Sequence, residues 1–82
     1  ETPSTLNLIG FRVDDALGRL ETFLNDAALS GLRELRVVHG VGTGALLRAV
    51  REHLARHPLV ETQRPGERFE GGNGVTVVQL RG

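Results

Sequence analysis

Apolar positions along the chain follow two spacings, and the two alternate. In "TLNLI", residues 5 to 9, Leu6 and Leu8 alternate with Asn7 and Ile9, and Gly10 ends the run. A period of two with a terminal glycine predicts a short strand. From Val13 the spacing lengthens. Val13, Ala16, Leu17, Leu20, Phe23, Leu24 and Ala27 recur at helical intervals, with Asp14 and Asp15 in the first turn and Gly31 placed as a C-terminal cap. "ELRVVH", residues 34 to 39, returns to strand spacing, with Leu35 and Val37 on one face. Leu46, Ala49, Val50, His53 and Leu54 form a second helical stripe, which Pro58 ends. Thr43 is placed to cap its start by accepting a backbone N–H bond. "LVETQR", 59 to 64, and "GVTVVQL", 74 to 80, predict two more strands, separated by the polar, glycine-rich "PGERFEGGN".

The order is therefore β-α-β-α-β-β. Strand–helix–strand units favour parallel strands and right-handed crossovers, so the first three strands are expected to be parallel and the fourth antiparallel. Each helix has one apolar stripe, which places both on one sheet face. The fold class is α/β, a two-layer sandwich with a four-stranded mixed sheet whose other face is partly open. Parallel strands share a carboxyl edge, where open α/β sheets bind ligands. Three glycine-bearing turns, "IGFR", "HGVGTG" and "EGGNG", should converge there, placing Gly10, His39, Gly42 and Gly72 around one concavity. A glycine turn feeding a helix N-terminus offers free N–H groups to an anion such as phosphate. Arg12 would stand beside it, with Arg64 and Arg68 nearby.

Composition narrows the picture. Eighty-two residues make one small domain with a thin core. The absence of cysteine excludes disulfides and thiolate metal sites. No apolar run approaches the roughly 20 residues of a membrane-spanning helix, and no signal-peptide pattern opens the chain. A cytoplasmic domain is the expectation, with residues 1–5 as a linker remnant and 6–82 as the domain. Net charge is zero but unevenly spread: residues 1–30 carry two Arg against five acids, and residues 31–60 carry five Arg against two acids. Every basic residue is Arg, whose planar fork suits phosphate oxygens.

Each motif has a plainer reading. "HGVGTG" can be a tight connection that needs positive φ angles. His39 can be a hydrogen-bonded loop anchor, although histidine is also the usual side chain for proton transfer near neutral pH. His53 reads as a half-buried packing residue and His57 as a helix-terminal one. Arg48, Glu52 and Arg56, four apart, read as a solvated charged face. No Ser-His-Asp arrangement, H-x-x-x-H metal pair or Walker loop is expected, and no metal-ligand cluster.

"LNLIGFRVDDALGRLETFL", "VVHGVGTGALLRAVREHLARHPLV" and "GGNGVTVVQL" resemble the three signature blocks of the Smr (small MutS-related) domain, over about residues 6 to 80. The wording is most similar to Smr domains at the C-terminus of the second bacterial MutS paralogue, which implies the remainder of a larger MutS-like chain as a partner. The resemblance implies a βαβαββ sandwich, DNA or RNA binding and, in many members, nicking endonuclease activity. Larger family proteins are linked to suppressed recombination and to stalled ribosomes. His39 is the family's intact polar candidate for catalysis; Arg12, Gly40, Gly42, Thr43, Gly44, Gly72 and Gly74 are the expected phosphate-binding positions. The first block departs from the family's Leu-Asp-Leu-Arg/His-Gly, because Asn7 replaces the acid and Ile9 the basic residue. Asparagine cannot act as a carboxylate base or a charged metal ligand.

Three functions remain open at this point. One is a nuclease with His39 as acid/base or phosphate-polarising group, with a divalent metal left open as cofactor. The second is a non-catalytic module for DNA, RNA or the ribosome. The third is a small-phosphoester binder.

Overall fold

The computed structural model describes residues 4–82. Residues 1–3 of the expected linker lie outside the described residues. The elements are β1 (Ser4–Asn7), α1 (Val13–Leu29), β2 (Glu34–Val38), α2 (Ala45–Ala55), β3 (Val60–Pro65), two single 3₁₀ turns (Arg68–Glu70 and Gly72–Gly74) and β4 (Val75–Leu80). Strand order is β1-β2-β4-β3. β1 runs parallel to β2, and β4 is antiparallel to both β2 and β3. The first three strands are therefore mutually parallel and β4 antiparallel, as the element order suggests; the insertion of β4 between β2 and β3 is not written in that order. β1 begins at Ser4, inside the segment expected as linker.

Alternation along the strands builds the core on one face. Leu35 pairs with Val78 and Val37 with Thr76 in the β2–β4 register. Leu35, Val37 and Val78 pack with Leu8 and Leu80, with Ala16, Leu20 and Leu24 of α1 and with Val50 and Leu54 of α2 in one buried cluster. α1 ends as its sequence suggests. Gly31 takes φ +76°, and the N–H groups of Gly31 and Leu32 reach the carbonyls of Ala28 and Ala27. α2 starts differently. Its N-cap is Gly44 at φ +86°, not Thr43, whose hydroxyl makes only a long 3.4 Å contact with the Ala45 N–H.

The sheet face away from the helices is less open than expected. Val75 and Val77 lie on it, yet are only 5% and 1% exposed. Val77 is flanked in register by Arg36 on β2 and Arg64 on β3. The "PGERFEGGN" segment is not a shapeless loop: its first 3₁₀ turn is closed by a reciprocal capping box between Glu67 and Glu70. The turn carries Glu70 over this face. Its carboxylate takes a two-pronged bond from Arg64, at 2.7 and 3.0 Å, and lies 3.7 Å from Arg36. The Arg64 bond and the Glu67 N–H hold the Glu70 carboxyl down at about 2.

Candidate functional site

Three glycine turns do meet at one edge. Strand β1 hands on to its turn where Leu8 N–H bonds the Val38 carbonyl. The N–H groups of His39 and Gly40 both reach the Gly74 carbonyl at 3.0 Å. This brings "HGVGTG" against the last turn before β4. Gly74 packs closely on this turn, since a Cβ there would stand 3.3 Å from the Gly40 Cα. Gly40, Gly42 and Gly44 all take left-handed φ, at +74°, +42° and +86°. Among the described residues, the N–H groups of Val41, Gly42 and Thr43 have no backbone acceptor. They precede the N-terminus of α2, where the helix dipole adds partial positive charge. The Arg48 guanidinium folds back over Gly44, close enough that a Cβ on Gly44 would meet it at 2.8 Å. Gly72, at φ +64°, sits in the adjoining turn, its N–H bonded to the Glu67 carbonyl.

His39 is not an exposed rim residue; it is 5% exposed. The alternation that turns Leu35 and Val37 toward the helices turns His39 the same way. Its Nδ1 lies 2.8 Å from the Gly40 carbonyl and its Nε2 2.8 Å from the Thr76 hydroxyl. A carbonyl only accepts, so Nδ1 carries the proton and Nε2 accepts from Thr76. The Thr76 oxygen in turn accepts from Arg51 Nε at 3.3 Å. Burial pushes the His39 pKa down and favours the neutral ring; the bond to the Gly40 carbonyl opposes this in part, and the Arg51 charge adds a smaller push in the same direction as burial.

Asn7 pairs with Val38 and is exposed on the opposite sheet face from His39. Its Oδ1 accepts the Ile9 N–H at 2.9 Å, closing a local turn. Ile9 is 57% exposed and leans on Gly40. Arg12 is exposed at the N-cap of α1, in extended conformation. Arg68 is exposed in the 3₁₀ turn, whereas Arg64 is bound to Glu70. The fold thus gathers Gly40, Gly42, Thr43, Gly44, Gly72 and Gly74 around the edge. His39 lies beneath them, and Asn7 is on the far face.

Sequence reasoning missed two groups. Thr76 and Arg51 complete the His39 network; no spacing rule links positions so far apart, and it takes the β2–β4 pairing to bring Thr76 and the packing of α2 to bring Arg51. The second is a histidine pair. His53 lies in the last turn of α2 and His57 two residues beyond its end, the H-x-x-x-H spacing that the sequence reading passed over, and both reach Glu21 of α1. His53 is half-buried, as read, and is also the partner of a carboxylate. Bonds from His57, then His53 and Asn25, hold the Glu21 carboxyl at about 2.

A family model described as the Smr domain matches residues 6–81. The protein named endonuclease MutS2 from Geobacillus kaustophilus is 49% identical over 76 residues, which is 93% of this chain and 10% of that protein. The endonuclease MutS2 of Symbiobacterium thermophilum is 48% identical over 81 residues, covering 99% of this chain and 10% of that protein. The chain thus spans about a tenth of the length of these curated relatives. Among solved structures, the Smr domain of Thermus thermophilus MutS2 superposes with a TM-score of 0.94 at 44% identity, covering 96% of this chain and 99% of that one. YdaL of Escherichia coli, a stand-alone small MutS-related protein, gives a TM-score of 0.92 at 25% identity, over 96% of this chain and 65% of that one. No described helix is long and apolar enough to cross a membrane.

Proposed function

This chain belongs to the Smr domain family, and from that premise we propose that it binds the backbone of DNA or RNA at the glycine edge and nicks a phosphodiester bond there. The endonuclease name of its relatives supports the reaction class. The observation that carries the reading is the hydrogen bond from His39 Nδ1 into the Gly40 carbonyl, at the head of a turn with unpartnered N–H groups. A bond donated to that carbonyl polarises the Gly40–Val41 amide and strengthens the Val41 N–H as a donor. Amides aimed at a phosphate, next to a helix N-terminus, favour bound anion and stabilise charge that builds on the phosphorus oxygens during displacement. His39 acts here as a phosphate-polarising group through the turn. Its Nε2 is committed to Thr76, so it is not a proton carrier in this arrangement. Arg12 supplies a mobile charge for a neighbouring phosphate. Within a larger MutS-like chain in the cytoplasm, such a module would serve recombination suppression or ribosome rescue.

A second reading has its own support. Asn7 stands where the family block carries a carboxylate, and His39 is buried with both ring nitrogens engaged. Both features favour a non-catalytic binding module. Nicking of supercoiled plasmid and cleavage of single-stranded RNA, each with and without divalent metal, separate the two. The nuclease reading expects cleavage that His39→Ala reduces by roughly 10²-fold, the usual loss for one polarising donor. Binding without cleavage, with cleavage created by Asn7→Asp plus Ile9→Arg, selects the binding module.

A further inference from the structure

Between the two helices lies a cluster for which the glycine edge has no use. Glu21, His53 and His57 each offer one ligand atom, and these atoms all lie within 4.8 Å of one another. Both Nε2 atoms stand 3.0 Å from Glu21 Oε1. We propose that Glu21, His53 and His57 form a binding site for a zinc-like transition-metal ion that ties α1 to the C-terminal end of α2.

The donor set chooses the ion. Two imidazoles and one carboxylate suit zinc and its neighbours, whereas magnesium prefers an all-oxygen octahedron. Zinc bonds of roughly 2.0–2.1 Å in a tetrahedron put adjacent donors about 3.3 Å apart, so the hydrogen-bonded atoms need to spread by only a few tenths of an ångström. An entry path exists, since the side chains of Glu21 and His53 are 46% and 29% exposed. The fourth position opens on a cleft of about 640 Å³, also lined by Asn25, Glu52 and Arg56. The Arg56 charge, which opposes a cation, is offset by Glu52 in the same wall.

One contact works against the ion and gives it a signature. His57 Nδ1 accepts the Leu59 N–H at 3.1 Å, which fixes the proton on Nε2 in the metal-free chain. Metal at Nε2 moves that proton to Nδ1 and breaks the Leu59 contact. The site is therefore expected to bind at micromolar strength, below that of a structural zinc finger.

The test is a zinc titration of the 82-residue chain by calorimetry, with imidazole nitrogen–proton correlation spectra of its three histidines. One equivalent is expected to bind, and the His53 and His57 rings to switch to the Nδ1–H form while His39 stays unchanged. Glu21→Gln and His53→Gln are expected to weaken binding by about tenfold or more, a loss at least as large as that of an outer-shell partner. The spectra use the unaltered chain, so a variant that fails to fold does not decide the matter. Absence of saturable binding, equal affinity in folded His53→Gln, or a response of only one of the two rings overturns the proposal. The result is independent of cleavage, because a chain that never nicks nucleic acid can still bind zinc here.

Discussion

His39 is held from both sides by bonds of equal length, 2.8 Å to the Gly40 carbonyl and 2.8 Å to the Thr76 hydroxyl. His39→Ala leaves a fully buried hydroxyl without its acceptor and opens a cavity beside it. The expected cost is roughly 1–3 kcal/mol, read as a lower urea midpoint at unchanged slope. The ring also makes stability depend on pH. Its pKa is lowered in the folded chain, so between the folded value and the unfolded value near 6.5 the unfolded chain binds more protons. The contribution is complete above about pH 6.5 and is lost as pH falls through the folded value. Urea midpoints measured from pH 7.5 downward should fall over this window, and His39→Gln should remove that part of the slope. An identical slope in the variant would assign it to other groups. The sequence marks His39 through its glycine neighbours, but not its burial. Burial follows from strand parity one residue beyond Val38, where the chain has already left β2.

At the level of elements, the two periods locate both helices, which each bury a single stripe, and β1 and β2, which alternate; β3 and β4 are read from short apolar runs bounded by turn residues. β4 carried a signal that alternation alone passes over. Val75 and Val77 occupy one parity and Val78 and Leu80 the other, so this strand is apolar on both faces, as a central strand covered on both sides should be. The cover for the second face comes from the Glu67–Glu70 turn, whose capping residues sit in a polar stretch with no apolar periodicity. Its role depends on Arg36 and Arg64 being brought together by β4, which no local pattern records. The start of α2 is likewise set by conformation and not by a capping side chain. Gly44→Ala forces a Cβ into a left-handed residue and is expected to cost roughly 1–2 kcal/mol. Gly18 provides the contrast. It sits exposed inside α1 with ordinary φ and nothing within 4 Å of an added Cβ. Gly18→Ala should raise stability by roughly 0.5–1 kcal/mol. Thermal melts of the pair should therefore move in opposite directions; a gain from Gly44→Ala would mean that the turn does not need its left-handed glycine.

Over the whole molecule, neutral net charge hides an arrangement that governs how a polyanion is met. Two guanidinium groups, Arg36 and Arg64, are drawn onto one carboxylate across the sheet, while Arg12 stands exposed at the glycine edge. Glu70 is held at about 2, so its stabilising pairing is present above the ordinary carboxylate value and is lost only as pH falls toward about 2. At any pH used for nucleic-acid binding Glu70 therefore stays ionised and offsets one of these two positive charges, and the proposed contact falls on the glycine edge. Arg12→Ala is expected to weaken binding similarly for all sequences and to lower the slope of log K against log salt by about one. Glu70→Gln should do the reverse. It removes the one negative charge that offsets the guanidinium groups on the sheet face, raises sequence-independent affinity at low salt and steepens the slope by about one. Fluorescence anisotropy with a labelled oligonucleotide across a salt series measures both, with circular dichroism confirming that each variant is folded. A slope unchanged by Arg12→Ala but steepened by Glu70→Gln would move the nucleic-acid contact from the glycine edge to the sheet face. A slope that drops with Arg12→Ala keeps it at the edge that carries the unpaired amides of the "HGVGTG" turn.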